Sequence, residues 1–127
     1  MSRVIANALC WRAELTIGTR HGYTGPEVIR PMDLIPYIEA YQQRPDPWFA
    51  VIVWACGTVI GPSFPSETVI KASLESNPLY TADATEDQIR DYAAHLADYL
   101  ATELQQVRVY VAVYPIRSLI VDTSEQV

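Results

Sequence analysis

Apolar and polar side chains alternate with a period of two over residues 10–20. Trp11, Ala13, Leu15 and Ile17 are set against Arg12, Glu14, Thr16 and Gly18, the pattern of a strand with two unlike faces. Glycines at 18, 22 and 25, followed by Pro26, then punctuate a loop. Over residues 33–43 the period changes. Leu34, Tyr37, Ile38 and Tyr41 recur at helical spacing, with Asp33 as a cap and Pro36 in the first turn. Arg44-Pro-Asp-Pro47 ends that helix.

Residues 48–60 form an apolar run rich in β-branched and aromatic side chains, too short to cross a membrane. They predict a central strand buried on both faces, with Gly57 as a possible bulge. A turn-rich connection at 61–66 leads into a second alternating run at 67–76, so the two runs predict a hairpin with a longer loop. Thr85 with Gln88 three residues on makes a capping box, and Glu86 and Asp87 complement the helix dipole. The helix so begun carries Ile89, Tyr92, Ala93, Leu96, Leu100 and Leu104 on one stripe and ends near Gln105. A last strand is predicted at 107–114. Pro115 either bends it or marks an edge, and 116–121 either continues it or returns as a short strand. The tail at 122–127 reads as frayed.

The order β-α-β-β-α-β is the split βαβ, or ferredoxin-like, arrangement: a four-stranded antiparallel sheet, five-stranded if 116–121 is separate, with two helices on one face. The 127 residues fit one domain spanning 1–127. Half of them are apolar, which excludes wholesale disorder and favours self-association as a homo-oligomer.

Charge narrows the partners. The net charge of −6 lies entirely in the second half: residues 1–64 carry five basic and five acidic side chains, residues 65–127 four and ten. Such a chain repels phosphate backbones, which argues against long nucleic acid and anionic membranes. Cys10 and Cys56 are isolated in apolar surroundings and read as reduced thiols. With two histidines and no cysteine pair, neither a metal site nor a cofactor is expected. The run at 4–10 is too short for a signal segment, so a cytoplasmic location is expected.

Candidate chemistry gathers in two places. The glycine-punctuated loop holds Arg20, His21 and Tyr23. Its amides and arginine suit an anion, and His21 is a candidate general base. The sheet face away from the helices would carry Arg12, Glu14, Thr16, Lys71, Arg108, Tyr110 and Tyr114, with Trp48 and Trp54 from the apolar strand. Arg117, past the Pro115 bend, could reach a ligand or a neighbouring subunit. First and last strands are often apart in a sheet, so contact between the loop set and the last-strand set is expected mainly across a subunit interface.

No catalytic set assembles from these residues. The leading expectation is a non-catalytic, homo-oligomeric binding protein for a small anionic or nucleotide-like ligand. Its site would be Arg20, His21, Tyr23, Arg108, Tyr110 and Arg117. Such a protein would suit a virus or plasmid that sequesters a host signal molecule. Two alternatives stand beside it: a cofactor-independent enzyme using His21 as base, and a protein-binding inhibitor acting through the acidic second helix at Asp91 and Asp98.

Overall fold

A computed structural model describes residues 2–20, 26, 29–43, 49, 51–61 and 64–124. It has strands β1 (Arg3–Gly18), β2 (Val51–Gly61), β3 (Phe64–Glu75) and β4 (Val109–Asp122), and helices α1 (Pro31–Gln42) and α2 (Glu86–Glu103), in the order β1-α1-β2-β3-α2-β4. The strands form one antiparallel sheet ordered β2-β3-β1-β4.

Alternation in β1 decides which face is covered. Ala13, Leu15 and Ile17 are buried, as are their β3 neighbours Leu74, Ala72 and Ile70. Leu34, Ile38 and Tyr41 of α1 and Ile89, Ala93, Leu96 and Leu100 of α2 join them in one cluster, so both helices lie on the same sheet face. Burial of these side chains is the main source of stability, at about 1.5–3 kcal/mol for each large one. Among the described residues, no helix is long and apolar enough to cross a membrane.

Helix α2 starts where the sequence marks it. The Thr85 hydroxyl accepts from Gln88 N at 3.2 Å, and the Gln88 amide oxygen accepts from Thr85 N at 2.8 Å. Helix α1 starts two residues before its expected first residue, because Pro31 suits the first helical turn. Asp33 is therefore not the cap but the third helical residue, reaching back to accept from Arg30 N at 2.8 Å. Pro36 consequently sits beyond the first turn, without an amide for the Met32 carbonyl, on the exposed side of the helix.

Two strand boundaries also differ. Strand β1 begins at Arg3 rather than near residue 10, and β4 runs unbroken to Asp122, whose expected frayed position is paired with Arg3. No separate fifth strand forms from 116–121. Pro115 passes without cost for a geometric reason. Its partner across the ladder is Trp11, whose N–H donates to Ser76 Oγ and whose carbonyl accepts from Ser76 N, both at 3.0 Å. Trp11 thus spends its backbone groups on the β3 side. Pro115 faces it as a non-hydrogen-bonded partner, and its missing amide points to the outer edge.

Candidate functional site

The end of the sheet where β1 finishes gathers the polar chemistry. Thr19 is buried; its hydroxyl donates to the Thr68 carbonyl at 3.1 Å and lies 2.9 Å from the Thr68 hydroxyl. The Thr19 carbonyl accepts from Ile29 N at 3.0 Å. That bond closes the base of the loop the sequence singled out. His21 and Tyr23 of that loop lie outside the described residues.

Arg20 stands at the loop mouth. Its amide donates to Glu67 Oε2 at 3.2 Å, and its carbonyl accepts from Gln106 Nε2. Gly18 makes this approach possible: a Cβ there would lie 2.6 Å from Glu67 Oε2 and 3.0 Å from Gln106 Oε1. Gln106 is aimed by the end of α2. Gln106 N donates to the Ala101 carbonyl at 2.8 Å and Gln105 N to the Thr102 carbonyl at 3.4 Å, with Gln105 at φ 55°. This paired closure needs a left-handed residue after the helix cap, and it turns the chain back toward β1.

Beside the returning end of the loop, Arg30, Pro31, Met32 and Ile35 line an open, mainly apolar groove of about 450 Å³. Arg20, Glu67 and Gln106 are not among the described residues that line this groove.

The sheet face opposite the helices carries the expected polar ladder. Arg12 bonds Glu75 at 2.6 Å. Hydrogen bonds that Arg12 makes to Glu75 and then Tyr114 raise its pKa above the ordinary range. The next rows place Glu14 between Ser73 and Ala112, and Thr16 between Lys71 and Tyr110. Tyr110 is 64% exposed. Register sets Trp54 opposite Lys71, and Trp48 lies outside the described residues.

The expectation that first and last strands lie apart is corrected. They are neighbours, paired from Arg3–Asp122 to Ile17–Val109. Arg108, just before β4, and Tyr110, in its second position, therefore lie at the same sheet end as Arg20, just past β1, within one chain. Arg117 is separated from them: it pairs with Leu9, eight residues along β4 from Val109, or about 26 Å. The structure adds Glu67 and Gln106, which sequence reasoning missed. Glu67 alternates like any polar strand residue, and only the missing side chain at Gly18 hints that something lies over it.

Elsewhere, the acidic residues of α2 are exposed, with Arg90 bonded to Asp87 at 3.2 Å and Asp91 at 3.5 Å. His95 is exposed on the same helix, and Tyr80 projects from a turn held by Asn77. Cys10 is a buried free thiol. Among the described residues, no group of His, Cys, Asp and Glu is arranged to hold a metal ion.

No family model matches this chain, and no curated protein matches it by sequence. Its fold does have a solved counterpart. A phage SAM lyase, determined in complex with S-methyl-5'-thioadenosine, aligns over 91% of this chain and 91% of its own, with a TM-score of 0.57. The α+β architecture is shared. At 15% identity the likeness is one of fold.

Proposed function

We propose that this protein binds a small nucleoside-like molecule at the base of the loop between β1 and α1. The observation that carries the reading is the shared architecture, over nine-tenths of both chains, with a protein solved around a nucleoside thioether. The local chemistry supports it. An apolar groove suits a flat base or a methylthio group, and Glu67, Gln106 and the Arg20 backbone suit hydroxyl or amino groups. His21, Tyr23, Arg108 and Tyr110 complete the proposed lining, and Arg117 would join it only from another subunit. A carboxylate at this site in an acidic chain turns the ligand away from an anion and toward a neutral or cationic nucleoside.

In this reading the strand order with two crossover helices is the ferredoxin-like arrangement, and the protein works as a homo-oligomer in the cytoplasm. A binding role that sequesters a signal molecule is one version. The counterpart's own activity favours a second version, a lyase acting on S-adenosylmethionine.

Titration calorimetry with S-methyl-5'-thioadenosine and with S-adenosylmethionine, followed by chromatography of the incubated mixture, separates these. Heat with both ligands recovered intact supports sequestration. Conversion of S-adenosylmethionine to S-methyl-5'-thioadenosine supports the lyase. No heat and no conversion would sink both.

A further inference from the structure

Beyond Arg12 the sheet narrows to a ribbon. β3 ends opposite Arg12 at Glu75, and, among the described residues, residues 3–10 of β1 pair with β4 alone. None of these ribbon residues belongs to the buried cluster beneath the helices. Ladder partners point to the same side, so Leu9 with Arg117 and Asn7 with Leu119 share one face. A register shift at Ile5 then sets Val4 against Val121, which keeps the stripe continuous. On this face Leu9 is 56%, Leu119 51%, Val4 55% and Val121 52% exposed. The reverse face, with Ala6, Ala8, Ile116, Ser118 and Ile120, is half-buried, and Cys10 is fully buried.

We infer that the stripe of Val4, Leu9, Leu119 and Val121 is the surface by which one copy of this chain binds a second. Charge selects the partner. Residues 3–10 and 115–122 hold Arg3, Arg117 and Asp122, a net of +1, so the remainder of the chain carries −7 of the total −6. Two copies meeting by their ribbons bring together apolar stripes without excess acid, and leave the acidic faces of α2 out of the contact. A partner chosen for the acidic helix would have no use for this stripe. Pro115 also selects the mode. It removes a donor from the outer edge of β4, which blocks continuous strand addition there and leaves face-to-face packing. The same face holds Arg117, so packing by the ribbon gives that residue a subunit interface and a route to another copy's site.

This inference deepens the oligomer of the proposed function but does not depend on its ligand. The test is native mass spectrometry and sedimentation of the wild type, of Leu119→Glu, and of a charge reversal on α2, Asp91→Lys. Expected is a wild-type mass that is a multiple of 14.3 kDa, loss of assembly in Leu119→Glu with an unchanged circular dichroism spectrum, and retained assembly in Asp91→Lys. Leu9→Lys should repeat the loss if Leu119→Glu folds poorly. A wild type that stays at 14.3 kDa at all concentrations, or assembly abolished by Asp91→Lys and untouched at Leu119 and Leu9, would overturn it. Flotation of the monomer with anionic vesicles would equally reassign the stripe. Failure to bind S-methyl-5'-thioadenosine with assembly intact would sink the ligand reading alone.

Discussion

The Glu67 carboxylate lies across the Cα of Gly18, so that a single methyl group there would come within 2.6 Å of Oε2. Nothing but the absence of a side chain lets β3 lend a carboxylate to the end of β1. That carboxylate is what holds the Arg20 amide at the loop mouth.

Gly18→Ala should therefore be mild for the fold and severe for the site. The atoms it meets are the ends of flexible side chains, so stability should change by less than about 1 kcal/mol. Glu67 must swing away from Arg20, and affinity for a nucleoside ligand should fall at least tenfold. Denaturant unfolding and calorimetry on the same preparation check both halves. Unchanged affinity would remove Glu67 from the site.

Gln105 holds a left-handed conformation, which costs a side-chain-bearing residue roughly 1 kcal/mol more than glycine. Gln105→Gly should raise stability by up to about 1 kcal/mol and leave Gln106 aimed at Arg20. Urea unfolding reads the change. A loss of stability would mean that the Gln105 side chain makes a compensating contact.

Tyr92 packs edge-on against Tyr41 and Phe49, at 5.4 and 5.2 Å between ring centres. Its hydroxyl is enclosed without a well-formed hydrogen bond. The Phe49 carbonyl and Gln42 lie near it, but Gln42 already donates to that carbonyl at 2.8 Å. Removing a buried, poorly paired group restores its desolvation cost, so Tyr92→Phe should be neutral or stabilise by about 1 kcal/mol. Burial also pushes the Tyr92 pKa above its ordinary 10.0. The folded state holds this proton more tightly than the unfolded chain. Its contribution is therefore full below pH 10 and lost as pH rises through the higher folded value. Thermal melts between pH 9 and 11 should show a steeper alkaline decline for the wild type than for Tyr92→Phe.

At the other helix start, the Arg30 amide and then its guanidinium hold the Asp33 carboxyl below its ordinary 3.8. The folded state here binds the proton less readily. The contribution is present above the ordinary value and lost as pH falls through the lower one. Asp33→Ala should be less stable than the wild type at neutral pH, and the two should converge in acid. A difference that persists at pH 2 would assign the effect to the hydrogen bond from the Arg30 amide, which a neutral carboxyl still accepts, rather than to charge.

Much of the architecture was legible because it is local. Period-two alternation in β1 and β3 named the buried side chains, and the stripe on α2 with its Thr85–Gln88 box placed that helix to within a residue or two. The acidic, exposed side of α2 followed from the same spacing.

What escaped is what depends on a partner distant in sequence. Residues 4–10 show no regular polar alternation, because Val4, Ile5 and Leu9 face solvent with apolar side chains, and only β4 makes them a strand. Pro115 cannot announce that Trp11 will turn its backbone groups the other way. Glu67, Gly18, Arg20 and Gln106 come from three separate segments, and no spacing within any one of them encodes their meeting. Sequence periodicity determines which face of each element seeks the core, since burial acts residue by residue. The order of strands, and with it the neighbours of every polar side chain, is decided by the packing of the whole sheet.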